Sequence, residues 1–155
     1  MKYSYKFKLN QKDMWKYYMI DRYSSLAGLV QIIFVISLLI LLCSKWNNIG
    51  IIIKIIAFVG ISLFIVIQPL AFWINAGKSI DPNMPETELK FDEDFMIIKV
   101  NSHLQRIPYP DIVKVINKPG LLVIQPNQTH IYILSQRVLG EEKKELFKYL
   151  KTKII

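Results

Sequence analysis

The sequence predicts an α+β membrane protein: a two-helix transmembrane hairpin, then a small antiparallel β-meander capped by a C-terminal helix. Three observations predict it. Ser25–Cys43 is a run of 19 residues without a charge, and Ile49–Ile74 is a second apolar run whose one charge is Lys54. Only Ser44, Lys45, Trp46, Asn47 and Asn48 separate the two. Beyond Pro85 the pattern changes to short β-branched stretches punctuated by turn residues, and the chain closes on an amphipathic segment.

The first run, at helical rise, spans about 28 Å, the thickness of a bilayer's hydrocarbon layer. Lys54 lies close enough to the start of the second run to snorkel toward the headgroups. Two helices that are apolar all round would otherwise need a large soluble core to cover them, which 155 residues do not supply. A cleaved leader would have a shorter apolar core and a small-residue cleavage site. Cys43-Ser44-Lys45-Trp46 offers a poor one, so the first run is expected to remain as an anchor. The single cysteine, Cys43, makes no internal disulfide and is expected to be a small packing residue.

Composition agrees with a membrane anchor. Hydrophobic residues make up 52% of the chain and charged residues 21%. The net charge is +8, unevenly spread: +4 over residues 1–24, +2 over 25–76 and +2 over 77–155. The excess sits beside the first helix rather than in a stripe on a folded domain, which argues against nucleic acid as the partner. Basic residues are retained on the cytoplasmic side. Lys6, Lys8, Lys12, Lys16 and Arg22 therefore place both termini in the cytoplasm and the Trp46–Asn48 turn outside, in a multi-pass cell-membrane protein. They also attract anionic lipid, at roughly 1 kcal/mol each. The bilayer is thus the first expected partner.

The chain divides into a cytoplasmic N-terminal strand and interfacial helix at 1–24, the hairpin at 25–74, a linker at 75–85, and a cytoplasmic domain at 86–155. Tyr3, Tyr5, Phe7 and Leu9 alternate with polar residues, as in a half-buried strand. A lone strand is unstable, so residues 3–9 are expected to add an edge to the C-terminal sheet. Asn10 is a good N-cap for a helix over Gln11–Tyr23, whose aromatic and basic mixture suits the membrane interface. A bend near Ser24-Ser25 would distinguish an interfacial helix from a simple extension of the first span.

Within the hairpin, Gln31 and Gln68 fall at matching depth and are expected to form an interhelical hydrogen bond worth about 0.6–2 kcal/mol. Ser37 and Ser62 match in the same way. Ala27, Gly28, Ala57, Gly60 and Ala71 would permit close approach. Pro69 should bend the second helix. Two helices with no intramembrane acid and no central base make no ion pathway.

The strands are expected at Glu88–Phe91, Phe95–Asn101, His103–Ile107, Asp111–Asn117, Leu121–Gln125 and His130–Leu134, in one meander, with a tight turn at Lys118-Pro119-Gly120. The last helix is expected over Gly140–Lys153. Glu141 and Glu142 lie at its positive end and Lys148, Lys151 and Lys153 toward its negative end. Leu146, Phe147, Leu150 and Ile154 form its apolar stripe.

Three segments carry a family resemblance. Leu89-Lys90-Phe91-Asp92-Glu93-Asp94-Phe95-Met96-Ile97 fits an opening hairpin. Ile107-Pro108-Tyr109-Pro110-Asp111-Ile112-Val113-Lys114-Val115 fits an aromatic, Asp-Ile, Lys-Val stretch. Ile131-Tyr132-Ile133-Leu134-Ser135-Gln136-Arg137 fits the strand that follows. With the order of elements, these resemble the YcxB-like family of bacterial membrane proteins, whose C-terminal domain is similar to a small pleckstrin-homology-like fold. Two departures are visible: only Arg137 survives of the usual Pro-Lys-Arg, and Tyr109 stands one position away from the usual Trp. The resemblance implies a fold and a bacterial membrane location; it implies no reaction.

No catalytic constellation is legible. His103 and His130 lie in expected strands without a Cys or His at metal spacing. Asp92, Glu93 and Asp94 read as solvated turn acids, and no Gly-rich phosphate loop is present. The expectation is a non-enzymatic protein with no cofactor and no metal. Its function would be that of a membrane-anchored interaction module that presents its cytoplasmic domain to a protein or lipid partner. Lys114, Lys118 and Arg137 are the candidate contacts. The alternative is an immunity-type protein that protects the producing cell from a toxin, since blocking needs only a complementary surface.

Overall fold

The computed structural model describes residues 3–154, and the chain forms two units. One joins the N-terminal segment through Met14 to everything from Ile80 onward; the other is Trp15–Ser79. The architecture is α+β, with two antiparallel sheets.

In the first unit, β1 (Tyr3–Phe7) pairs antiparallel with β2 (Thr87–Phe91), in a register that sets Tyr5 opposite Leu89 and Phe7 opposite Thr87. The alternation of aromatics and lysines is the reason: Tyr5 and Phe7 are buried, while Ser4, Lys6 and Lys8 face out. Two neighbouring strands thus lie on either side of the whole Trp15–Ser79 segment in sequence. β3 (Phe95–Val100) and β4 (His103–Pro108) complete a sheet of order β1-β2-β3-β4. β5 (Lys114–Lys118), β6 (Leu121–Gln125) and β7 (Tyr132–Ser135) form the second sheet.

Two sheets replace the single expected meander, and the prolines explain the break. Pro108 and Pro110 flank Tyr109, and Tyr109–Asp111 forms a 3-10 turn closed by the Ile112 amide donating to the Tyr109 carbonyl. The segment expected as a strand over Asp111–Asn117 therefore pairs only from Lys114 onward. The strand expected over His130–Leu134 likewise starts later, at Tyr132. The Asn127 side chain accepts the Thr129 and His130 amides, at 3.0 and 2.7 Å, and holds them in a turn. Gly120 takes φ 70° in the expected β5–β6 turn, where a side chain would be strained.

The C-terminal helical region begins earlier than expected. α5 (Gln136–Leu139) directly follows β7, Gly140 breaks it with φ 55°, and α6 (Lys143–Ile154) follows a short 3-10 turn. Leu146 and Leu150 of α6 are fully buried against Leu89, Phe91, Met96, Leu122, Ile124 and Leu134. Each such side chain contributes about 1.5–3 kcal/mol by leaving water. At the β2–β3 turn the Asp92 carbonyl accepts hydrogen bonds from the Tyr109 and Tyr149 hydroxyls, each at 2.7 Å. The 3-10 turn and α6 are tied there to the first sheet.

In the second unit, α2 (Leu26–Lys45) and the continuous helix Ile51–Lys78 are long and apolar enough to cross a membrane. That second helix is α3 (Ile51–Ser62), a π-helical turn (Leu63–Ile67) and α4 (Gln68–Lys78). α4 therefore runs through Asn75–Lys78, which the sequence had suggested as linker. Ala76 in that stretch is fully buried, and Pro82 disfavours helix only from Asp81 onward. α1 (Gln11–Tyr23) has the expected cap, with the Asp13 amide donating to Asn10 Oδ1 at 2.8 Å. Between α1 and α2 the chain turns at Ser24-Ser25, where Ser25 is extended and caps α2 through its hydroxyl. Gly28 makes the turn possible: a Cβ there would lie 2.2 Å from the Arg22 carbonyl oxygen.

Candidate functional site

In the helical unit a series of polar contacts joins α1 and α2 to the second long helix. Gln31, on α2, is buried, and its Nε2 donates to Gln68 Oε1 on α4. Its own carbonyl oxygen has no partner among the described residues. Gln68 is the first residue after the π turn, and its amide reaches back five residues to the Leu63 carbonyl. Pro69 follows. The Tyr23 hydroxyl donates to the Phe64 carbonyl at 3.2 Å, and the Trp15 indole donates to the Pro69 carbonyl at 3.0 Å. Trp15 also meets Trp73 edge to face, and Tyr18 reaches Phe72 and Ser79. The aromatic residues that suggest an interfacial helix thus pack on the second long helix and serve its backbone. Nothing in a linear reading marks the Tyr23 and Trp15 bonds; Pro69 was the available signal, because a proline always leaves a carbonyl short of a donor.

Other expectations for the hairpin meet a different geometry. Ser37 and Ser62 are both exposed, and the Ser37 hydroxyl donates to the Ile33 carbonyl of its own helix, at 2.8 Å. Of the small residues, Ala57 is buried and Gly60 packs against Leu38 and Phe34. Ala27 and Ala71 are exposed, and Gly28 serves the α1–α2 turn. The Lys54 ammonium sits 4.4 Å from the centre of the Trp46 ring, so the charge of the second run finds an aromatic face at the hairpin turn. Cys43 is exposed rather than packed.

In the β unit the three candidate contacts do not converge. Arg137, on α5, forms a 3.2 Å ion pair with Asp13 and reaches the Lys8 carbonyl at 3.5 Å. It fastens the segment after β1 to the domain. Lys114 and Lys118 stand at opposite ends of β5. Lys114 is exposed, and the Lys118 carbonyl accepts a hydrogen bond from the buried Lys143 ammonium. Both histidines are exposed; His103 lies on β4, and His130 Nδ1 lies 3.1 Å from Asn127 Oδ1. The Asp92 carboxylate accepts the Glu93 amide at 3.1 Å, as a turn acid does. Among the described residues no three His, Cys, Asp or Glu side chains gather as a metal would require.

Two buried tyrosines complete the electrostatics. Burial, then a 2.5 Å hydrogen bond to Glu142, raises the Tyr5 hydroxyl's pKa well above the usual tyrosine value. Burial, then the neighbouring Tyr149, does the same to Tyr109. No family model, curated protein or solved structure matches this chain.

Proposed function

We infer that this protein is a non-enzymatic, membrane-anchored interaction module. A hairpin of two transmembrane helices holds a cytoplasmic pleckstrin-homology-like domain for a protein or lipid partner. One observation carries the reading. Among the described residues, all the exposed large hydrophobic side chains but Met84, Leu104, Val113 and Ile131 lie between Leu26 and Ile74. A surface of that extent is stable only when lipid or another apolar partner covers it. The β unit supports the second half. Two antiparallel sheets of four and three strands closed by a C-terminal helix suit a pleckstrin-homology-like domain, as does the resemblance to the YcxB-like family. Lys114 is the candidate contact best suited to a partner, being exposed.

The test is fractionation followed by co-purification. The full chain should stay in the membrane pellet through alkaline carbonate extraction. A partner recovered from detergent extracts should be lost when Lys114 and Lys118 are both changed to Glu. Release of the chain into the carbonate supernatant would sink the anchor. A partner retained by the double variant would remove β5 from the contact surface.

A further inference from the structure

An apolar cavity of the β unit lies at one end of its first sheet. It has a volume of about 260 Å³. Its floor is the cross-strand row Phe7, Thr87 and Val100, contributed by β1, β2 and β3. Ile131, Tyr132 and Ile133, at the start of β7, form its wall, and Leu9, Met84 and Pro85 its rim. Among the described residues, Met84 and Ile131 are two of four large apolar side chains exposed outside the helical hairpin, and here they meet at one mouth. Isolated exposed apolar residues need no explanation; two that border an apolar cavity do.

In sequence, the rim residues lie close to the helices. Leu9 lies two residues before α1 and Met84 six residues after α4. The rim is therefore built from the two strands of chain that leave for, and return from, the apolar helices. Six extended residues reach at most about 20 Å. The Lys8 ammonium stands beside the mouth, donating to the Pro82 carbonyl at 2.9 Å, two residues from Met84; the exposed carboxylates of Asp81 and Glu86 lie on the same return segment. Lys12 and Lys78 follow along the same two segments.

We propose that this cavity holds one acyl chain of an anionic phospholipid, with Lys8 beside the phosphate. The proposal rests on the membrane-anchor reading and deepens it. An apolar chamber with the Lys8 ammonium beside its mouth complements an amphiphile that has an apolar chain and an anionic head.

The experiment uses the full chain in bilayer nanodiscs with a trace of phosphatidylglycerol carrying a photoreactive diazirine near the end of one acyl chain. A matched phosphatidylcholine probe serves as the comparison. After irradiation, the labelled peptides are mapped by mass spectrometry. Labelling should appear at residues 130–133 and 84–100 with the anionic probe, at least fivefold above the zwitterionic probe. Val100→Trp should abolish it by filling the chamber, with circular dichroism confirming the fold. Lys8→Gln, which leaves the chamber intact, should erase the preference between the probes. Labelling confined to the hairpin, equal labelling by both probes, or labelling unchanged in Val100→Trp would overturn the proposal. Absence of label from the hairpin itself would instead overturn the anchor reading, so the two failures are distinguishable.

Discussion

The Tyr23 hydroxyl donates to the Phe64 carbonyl, whose donor in the register of the π turn would be the Pro69 nitrogen. Gln68 bonds back five residues to Leu63. The next bond in that register would run from Pro69 to Phe64, and proline has no N–H. In a helix suited to lipid such a carbonyl has no water to turn to. The side chain of α1 supplies the missing donor.

A coupled pair of substitutions tests this. Tyr23→Phe should destabilise the detergent-solubilised protein by about 1 kcal/mol. Pro69→Ala restores a donor and lets the π turn relax to an α-helix. In that background Tyr23→Phe should cost little, giving a coupling of about 0.5–1 kcal/mol in a thermal-unfolding cycle. Additive losses would show that Tyr23 acts independently of the proline.

The Gln31–Gln68 bond should behave as a polar pair in lipid. Changing either residue alone to Leu strands the other amide, while changing both removes the need for partners. The double variant should therefore be more stable than the sum of the single losses implies. Strictly additive losses would count against a shared hydrogen bond.

Gly28 sets the angle between α1 and α2. Gly28→Ala places a Cβ 2.2 Å from the Arg22 oxygen and 2.7 Å from Tyr23 Cα, both backbone atoms. The turn must open, at a cost of about 1–3 kcal/mol. Gly50→Ala, with nothing within 4 Å, is the matched control. Nitroxides at positions 16 and 30 should report a longer distance in Gly28→Ala alone.

The buried tyrosines give the β unit an alkaline limit. Tyr5 and Tyr109 have folded pKa values raised above the ordinary 10.0, so the folded state keeps protons that the unfolded chain releases. Their contribution is intact below pH 10 and is lost as pH rises above it, by up to about 1.4 kcal/mol per pH unit for each tyrosine. Denaturant midpoints between pH 8 and 11 should fall above pH 10, and fall less steeply in Tyr109→Phe. A flat profile would mean that both hydroxyls ionise freely in the fold.

Periodicity made the broad architecture legible. Tyr3, Tyr5 and Phe7 announced a strand in need of a sheet, Asn10 announced the helix cap, and the long apolar runs announced the hairpin. Matching depth alone suggested the Gln31–Gln68 bond. Three features were not legible, each for a physical reason. The Pro108-Tyr109-Pro110 corner moved the chain to a second sheet, because a proline's local constraint says where pairing stops but not where it resumes. Asn127 captured the Thr129 and His130 amides, and so delayed β7, through a side chain whose role depends on the turn it makes. The cavity at Met84 and Ile131 joins residues nearly fifty positions apart, and only the fold places them on one rim.

The register across the insertion makes the strongest test of the fold. Phe7 and Thr87 are directly paired at the ends of β1 and β2, so their strands are already set for a two-residue connection. Replacing residues 8–86 by Asn-Gly should close a tight hairpin while keeping Tyr5 opposite Leu89 and the core of Phe91, Met96, Leu134, Leu146 and Leu150. The product should be a soluble, folded β domain. It loses the Arg137–Asp13 ion pair, whose guanidinium is largely exposed and so contributes little, about 0–1 kcal/mol. Removing β1 as well, by starting the chain at Thr87, should unfold it. That change strips the sheet of an edge strand and exposes the aromatic rings of the core. Amide exchange would read both outcomes: slow exchange in Leu89, Phe91 and Ile98 for the Asn-Gly variant, fast exchange without β1. Equal protection in the two would mean that β1 is only docked on a sheet that is stable without it.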